Sequence, residues 1–247
     1  MILSRPPVSA PATGSGLAPA TSPGLAPAPF SARAAVLRAQ PYFALLDEAD
    51  LEFLSAHLVE MRYAKGEAIF LEGEPCRGLY IVREGQARIY KLSPEGREQV
   101  LRYCGAGQSF NEVAVFDGGL NPANVSASTP CHLWVVPCDL IIGMVRKRPE
   151  MAMAIIRSLG EQMRHLVSLV EDLSLRNISA RLAKLLLEIA SDEQLPHKLT
   201  QQEMAAQLGT VREMVARSLK QLETRGLIKI ERGRIVILDR QMLEKMV

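Results

Sequence analysis

Three charged residues, Arg212, Glu213 and Arg217, carry side chains that could form directional hydrogen bonds with a nucleic acid. Residues three or four positions apart share a helix face, so a helix here would present these groups together with Lys220. An arginine can donate two hydrogen bonds to O6 and N7 of guanine, and a glutamate can accept one from N4 of cytosine. The pattern therefore predicts a helix that reads base edges in duplex DNA.

Two helices around Gly209 are predicted to position these groups. Thr200 is expected to cap the first helix in a capping box with Glu203, and Gly209 permits the tight turn between the helices. The second helix is predicted to begin at Thr210. Its core-facing side is predicted to consist of Val211, Val215, Leu219 and Leu222. This arrangement is typical of a helix-turn-helix, whose second helix enters the major groove.

Glu213 fits two roles. Thr210-Val-Arg-Glu has the spacing of a capping box, in which Glu213 would stabilise the start of its own helix. Alternatively, Glu213 reads a base between the two arginines. The sequence leaves both interpretations open.

A hairpin is predicted after Gly226. The segment there reads IKIERGRIVIL, in which apolar residues alternate on both sides of Arg232-Gly233. Such a hairpin would form a wing beside the two helices and bring Arg232 and Arg234 close to DNA phosphate.

A long helix is predicted after Pro149. Its apolar residues recur at alternating intervals of three and four, the spacing of a helix that pairs with another helix. The residues of this seam are Ile156, Leu159, Met163, Leu166, Val170 and Leu173. Charged residues flank the seam, as a partly solvated helix pair requires, so the pattern predicts a homodimer. The alternative is a helix that packs only on its own domain.

Short apolar runs alternate with glycines between Tyr63 and about Asp139. The clearest runs read LYIV, ARIYKL, EQVLRY and HLWVVP. Regularly spaced short strands with glycine corners predict a β-roll or barrel. A helical pattern precedes them from Ala34 to Leu58, with Asp47 among its start signals. Residues 1–32 are mainly Pro, Ala, Gly, Ser and Thr, which predicts a disordered segment.

The composition excludes several classes of protein. Hydrophobic residues make up 48% of the 247 residues, but no apolar run approaches the roughly 18 residues of a membrane span. No apolar signal core follows the N-terminus, so a cytoplasmic protein without a membrane partner is expected. Residues 33–150 hold 13 basic and 15 acidic residues, whereas residues 180–247 hold 12 and 9. The basic excess favours a nucleic-acid partner at the C-terminal end.

The sequence shows no nucleophile–base pair, phosphate loop or metal-ligand cluster, so an enzyme is not expected. Four cysteines occur, and no pair of them has CxxC spacing. They are interpreted as buried or partly buried thiols rather than as disulfides or metal ligands.

The stretch from about residue 40 to 240 resembles the CRP/FNR family of bacterial transcription regulators. The resemblance rests on GLYIVREGQARIYKLSPEGREQVL, FNEVAVFDGG, ARLAKLLLEIA and LTQQEMAAQLGTVREMVARSLKQLETRGLI. It implies an α+β fold with a cyclic-nucleotide-binding-type β-roll, a long dimerisation helix and a C-terminal winged helix-turn-helix. The expected parts are a disordered low-complexity tail (1–32), a β-roll sensor domain (33–149), the dimerisation helix (150–177) and the DNA-binding domain (178–247).

The resemblance also implies a function. Arg212, Glu213 and Arg217 match the branch of the family that reads a TGTGA-like half-site, and Ala216 stands where the other branch has Ser. A homodimer on a palindromic site in double-stranded DNA is implied, with RNA polymerase as a further partner if the protein is an activator. The family's phosphate contacts would fall on Thr200, Gln202 and Thr210. The alternative of a cyclic-nucleotide-responsive signalling subunit without DNA binding is disfavoured by the intact recognition helix.

An effector pocket is implied around FNEVAVFDGGLNPANVSA, residues 110–127. Members that bind cAMP have a Gly-Glu pair there, followed by an Arg-Ser pair whose arginine neutralises the cyclic phosphate. The corresponding residues of this chain are Asn111-Glu112 and Pro122-Ala123, flanked by Asn121 and Asn124. A phosphodiester would then face no fixed cation, and Pro122 also removes a backbone donor.

The dimer helix points to the same conclusion about the effector. Where cAMP binders offer a Thr-Ser pair to adenine, this chain has Leu166-Val167. We therefore do not expect cAMP in the pocket, and expect another organic ligand or no ligand at all. The alternative is a haem- or redox-responsive sensor of this family, with candidate axial haem ligands at His57, Cys76, Cys104, Cys131 and His132. An iron–sulfur cluster is disfavoured because residues 1–40 contain no cysteine.

Overall fold

A β-roll occupies the N-terminal half of the computed structural model, which describes residues 30–191, 199–231 and 234–247. Its strands are β1 (Val59–Tyr63), β2 (Ala68–Phe70), β3 (Gly78–Glu84), β4 (Ala87–Leu92), β5 (Glu98–Cys104), β6 (Ser109–Phe110), β7 (Asn124–Ala127) and β8 (Cys131–Pro137). They form two four-stranded antiparallel sheets with the orders β1-β8-β3-β6 and β2-β7-β4-β5.

The predicted strand runs are confirmed, since they lie within β3, β4, β5 and β8. The inward side chains of both sheets form an apolar core in which the rings of Tyr80 and Phe110 stack 5.1 Å apart. The sequence missed β1, because its residues VEMRY include charges and only partly buried positions. That strand pairs with β8 along its whole length, from Val59 opposite Val135 to Tyr63 opposite Cys131.

Five helices surround and extend the roll. They are α1 (Phe30–Arg38), α2 (Glu48–Ala56), α3 (Glu112–Asp117), α4 (Cys138–Lys147) and the 25-residue α5 (Met151–Leu175). Asp47 caps α2, as predicted, by accepting a hydrogen bond from the amide of Asp50. Met151 and Ile155 anchor the start of α5 in the core between the helices and the first sheet.

The N-terminal helical pattern differs from the prediction in two respects. It forms two helices, α1 and α2, separated by a turn in which Leu45 is exposed. Helix α1 begins at Phe30, within the segment assigned to the low-complexity tail. The rest of that predicted tail, residues 1–29, lies outside the described residues.

The C-terminal part consists of α6 (Ile178–Ser191), α7 (Gln201–Leu208), α8 (Arg212–Thr224), the hairpin strands β9 (Ile228–Glu231) and β10 (Arg234–Ile237), and α9 (Arg240–Glu244). These elements share a separate apolar core that includes Leu182, Leu186 and Leu219. Helix α7 also packs against β5, so the C-terminal part contacts the roll. Among the described residues, no helix is both long enough and apolar enough to span a membrane.

Candidate nucleic-acid interface and ligand cavity

Helix α8 presents one polar face to solvent. Arg212, Glu213, Arg217 and Lys220 are all exposed along it. On the opposite face, Val215, Leu219 and Leu222 are buried in the C-terminal core. The amphipathic pattern therefore holds α8 rigidly on α6 and α7 and leaves its charged face open to a ligand.

The start of α8 differs from the prediction. The N-cap residue is Val211 rather than Thr210, and it makes no side-chain capping bond. Val211 is consequently 47% exposed instead of facing the core. Because the helix begins one residue after Val211, Glu213 is its second residue and forms no capping box with Thr210. This geometry removes the capping interpretation of Glu213, although its carboxylate still lies at the favourable end of the helix dipole.

The predicted cap of α7 is confirmed. Thr200 Oγ1 accepts a hydrogen bond from the Glu203 amide at 3.2 Å, and Glu203 Oε2 accepts one from the Thr200 amide at 2.7 Å. Gly209 ends the helix with φ = 60°, a left-handed conformation that favours glycine. Thr200 and Gln202 are exposed, and Thr210 is half-buried in the turn after α7.

The predicted wing is present as the antiparallel hairpin β9–β10. Its register pairs Arg234 with Glu231, and the Arg234 side chain is exposed. Lys229 forms an ion pair with Glu231 at 2.6 Å. Arg232, the other predicted wing arginine, lies outside the described residues.

The outer side of α5 carries an exposed apolar stripe. Its members are Ile156, Met163, Leu166, Val167, Val170 and Leu173. Leu159 differs from the rest of the predicted seam, since it is half-buried and packs against the core of its own roll. The stripe continues to the C-terminal end of the helix, where Leu175 is also exposed.

A cavity of about 670 Å³ lies between the second sheet, α3 and the middle of α5. Glu112 forms part of its wall and is buried. Its Oε1 accepts hydrogen bonds from Ser109 Oγ at 2.8 Å and from the Tyr42 hydroxyl at 3.4 Å. Burial, aided by the Glu112 carboxylate, raises the pKa of Tyr42 well above its usual value, so the phenol remains a donor. Glu112 is thus already hydrogen-bonded within the protein.

A cation does reach this cavity, contrary to the expectation that a phosphodiester would face none. Arg102, on β5, lines the cavity wall. It was not predicted because it lies outside residues 110–127. Its guanidinium donates to the Ser109 carbonyl at 2.8 Å and lies 3.8 Å from the Glu112 carboxylate. The charge of Arg102 is therefore largely offset inside the protein.

The structure places only some of the predicted pocket residues at the cavity. Asn111, Glu112, Pro122, Ala123 and Leu166 line it. Asn121, Asn124 and Val167 do not. Asn121 is buried against the Asn111 amide, Asn124 accepts a hydrogen bond from the Glu72 amide, and Val167 is exposed. His165, which was not predicted, also lines the cavity, and its Nε2 lies 2.9 Å from the Leu101 carbonyl oxygen.

None of the five candidate haem ligands lines the cavity. His57 is exposed and contacts the Phe53 carbonyl, and His132 is buried on β8 beside Glu60. Burial lowers the pKa of His132, which favours the neutral ring. Cys104 and Cys131 are buried and Cys76 and Cys138 are half-buried, in agreement with the predicted burial, and all four are free thiols.

Two family models match the chain. Residues 60–148 match the cyclic nucleotide-binding domain, and residues 180–246 match the Crp-like helix-turn-helix domain. A CRP-like cAMP-activated global transcriptional regulator of Mycobacterium tuberculosis is 28% identical over 85% of this chain and 97% of its own length.

Solved structures show the same similarity. A CRP/FNR-family protein from Eubacterium rectale superposes with a TM-score of 0.73 at 27% identity, covering 85% of this chain and 98% of the other. A CRP/FNR-family transcriptional regulator from Thermus thermophilus gives a TM-score of 0.62 at 26% identity, covering 76% and 97%. With its cyclic nucleotide-binding-type roll and Crp-like helix-turn-helix, the chain belongs to the CRP/FNR family of bacterial transcription regulators.

Proposed function

We propose that the protein binds a near-palindromic DNA site as a homodimer, with α8 of each protomer in the major groove. The main support for this proposal is structural. Arg212, Glu213 and Arg217 are exposed on one face of α8, and the opposite face is buried in the C-terminal core. In this arrangement the two arginines donate to guanines and Glu213 accepts from a cytosine, which corresponds to a TGTGA-like half-site.

The surrounding polar groups are proposed to hold the phosphates. Thr200 and Thr210 flank α7, Gln202 is exposed in its first turn, and Lys220 continues the charged face of α8. Arg234 is exposed on the wing, and Arg232 belongs to the same proposed set. Contacts of this kind fix the register of the protein on DNA without selecting a sequence. If the protein activates transcription, RNA polymerase is a further partner, and both partners place it in the cytoplasm.

The dimer is proposed to form through α5. The exposed stripe of α5 keeps the three-and-four spacing of a helix pair, and a second copy would bury it around a two-fold axis. Such an axis would relate two copies of α8, so that each reads one half of the palindrome. Leu159 packs partly on its own roll, and the exposed members of the stripe on either side of it would make the dimer contact.

We further infer that cAMP is not the effector, although the M. tuberculosis relative is named as cAMP-activated. Pro122 and Ala123 stand at the positions of the phosphate-binding pair, and Arg102 is already engaged by Glu112 and Ser109. Leu166 offers no hydroxyl to an adenine. These residues favour a less highly charged organic ligand, which the largely apolar wall of Phe70, Val125 and Leu166 would accommodate.

Selection from a random duplex library tests the DNA-binding proposal. The full chain is expected to enrich a near-palindrome whose half-sites lie about one helical turn apart. An enriched pool without a repeated half-site would contradict it.

Titration calorimetry tests the proposal about cAMP. The wild-type chain is expected to show no binding at micromolar cAMP, whereas Pro122→Arg combined with Ala123→Ser should gain affinity. A micromolar or tighter dissociation constant for the wild type would overturn this proposal and leave the proposal about DNA untouched.

A further inference from the structure

Two thiols that are distant in sequence meet at the edge of the roll. Cys76, in the loop before β3, and Cys138, the first residue of α4, have their sulfur atoms 3.0 Å apart. Both side chains are half-buried, so a small molecule can reach them, whereas Cys104 and Cys131 are buried and lie elsewhere in the roll. The distance between the two sulfurs is about 1 Å longer than a disulfide bond.

We propose that Cys76 and Cys138 form a reactive dithiol that hydroperoxides oxidise to an intramolecular disulfide. This modification site goes beyond the proposed DNA-binding function and does not depend on it. The proposal rests on the proximity of the two sulfurs, on their partial exposure and on the polar groups that surround Cys76.

Cys76 is the attacking sulfur in this proposal. The Asn111 side-chain amide donates to Cys76 Sγ at 3.4 Å, and the Cys138 thiol lies within hydrogen-bonding distance on another side. Both groups can donate a hydrogen bond to Cys76 Sγ, which holds this sulfur in place beside Cys138. Burial and the neighbouring Cys76 raise the pKa of Cys138, which keeps that thiol protonated until the second step.

The hydroperoxide oxidises the two thiols in two steps. The Cys76 thiolate attacks one oxygen of the hydroperoxide, the O–O bond breaks, and the leaving oxygen takes up a proton as an alcohol or water. Cys138 then attacks the sulfenic sulfur of Cys76, the S–O bond breaks, and the hydroxide leaves with the Cys138 proton as water. The two thiols lose two electrons, and the peroxide gains two.

Asn111 connects this pair to the ligand cavity. Its backbone adopts φ = 78°, a conformation that asparagine tolerates better than most residues. Its amide bridges Cys76 Sγ, the Gly78 carbonyl and Asn121 Oδ1, and the next residue is the cavity carboxylate Glu112. Oxidation would bring the two sulfur atoms about 1 Å closer together. Because Asn111 contacts Cys76 and lines the cavity, this movement would act on the cavity wall.

Mass spectrometry of the full chain tests the proposal. The protein is treated with hydrogen peroxide, its free thiols are blocked with N-ethylmaleimide in denaturant, and it is digested with trypsin and chymotrypsin. Chymotrypsin is needed because cleavage after Trp134 separates Cys138 from Cys131. We expect a peptide containing Cys76 linked to one containing Cys138, two free thiols instead of four, and full reversal by dithiothreitol.

Substitutions test whether the disulfide forms specifically between Cys76 and Cys138. Cys138→Ser should abolish the link and leave a sulfenic acid on Cys76 that dimedone traps, while Cys131→Ser, the matched control, should keep the link. Asn111→Gly preserves the backbone conformation and removes the amide, so oxidation should slow roughly fivefold. Peroxide-treated protein in which Cys76 and Cys138 both remain alkylatable, or in which the link joins two different chains, would overturn the proposal.

Discussion

The side chain of Gln99 joins the roll to the helix-turn-helix, because its Nε2 donates to the main-chain carbonyl of Gln207 at 3.1 Å. Gln99 lies on β5, the strand that also supplies Arg102 to the cavity, and Gln207 lies near the end of α7. A ligand that moves β5 would therefore act directly on the position of α7. An effector can shift this arrangement only through different affinities for two states of the protein.

Replacement of Gly209 tests this contact. Gly209→Ala should loosen α7, since alanine is strained at φ = 60° by about 1–2 kcal/mol and its Cβ would overlap the Gln99 side-chain oxygen. Hydrogen exchange of the α7 amides should accelerate. Adding Gln99→Ala should restore part of the protection, because it removes the overlap but not the backbone strain. Effects of the two substitutions that simply add would show that the residues do not interact.

Charged residues on the α5 stripe should dissociate the dimer. Met163 and Val170 are 62% and 60% exposed in one protomer and do not line the cavity, so replacing both with Lys should leave the protomer folded. Sedimentation velocity is expected to give a monomer. Leu92→Lys is the matched control, since Leu92 is 51% exposed on β4, away from α5. A double variant that remains dimeric at the same concentration would place the interface elsewhere.

Base-reading and phosphate-binding residues should respond differently to truncation. Arg217→Ala should cost about 1–3 kcal/mol of binding free energy and relax the preference at one base pair. Lys220→Ala should weaken binding to all sequences alike and reduce the slope of log affinity against log salt by about 1. Anisotropy titrations on single-base variants of the selected site, at several salt concentrations, measure both quantities. Identical profiles for the two variants would contradict the division of roles.

The substitution Glu213→Gln distinguishes a role of Glu213 in base recognition from a role in capping α8. Since Glu213 makes no capping bond, the melting temperature should stay nearly unchanged while the base preference shifts. An unchanged preference with a lower melting temperature would restore the capping role.

Asp50 should make the roll sensitive to acid. It is buried and binds Lys147 and Arg148, the latter at 2.7 Å, and the hydrogen bond from Lys147 is the main reason that its pKa lies below the usual value. The unfolded chain then binds the proton more readily, so this stabilisation is present above about pH 4 and is lost as the pH falls through the folded-state pKa.

Asp50→Asn should therefore lower the unfolding free energy at pH 7 by about 1–3 kcal/mol and have a smaller effect near pH 3. Urea unfolding at both pH values measures this difference. An equal loss at both would show that the charge of Asp50 is not what stabilises the roll.

Local patterns in the sequence were sufficient to predict much of the fold. The runs LYIV in β3 and LWVV in β8 are continuously apolar, which is typical of buried strands. The cap of α7 follows from the three-residue spacing between Thr200 and Glu203. These features depend on neighbours along the chain, which a sequence displays directly. The start of α8 was misplaced because Thr210 and Glu213 have the spacing of a capping box. In the structure the Thr210 amide donates to the Ala205 carbonyl instead, and the helix begins after Val211.

Features that depend on tertiary register were not visible in the sequence. Arg102 reaches the cavity only because β5 lies at the edge of the second sheet, and Cys76 meets Cys138 only because β3 pairs with β8. Asn121 and Asn124 were placed in the pocket by proximity to Pro122, but their side chains turn to Asn111 and Glu72. The Asn111–Asn121, Glu72–Asn124 and Cys76–Cys138 contacts join residues 10, 52 and 62 positions apart, and no periodicity marks them.

Two copies of α8, related by the α5 axis, are proposed to read one palindrome. The most direct measurement compares the selected site with a version in which five base pairs are inserted between the half-sites. About 10 base pairs make one turn, so this insertion rotates one half-site to the opposite side of the duplex. We predict that the dimer's affinity falls to that for a single half-site. An unchanged affinity would show that the two recognition helices are not fixed by one two-fold axis, contrary to the proposed dimer.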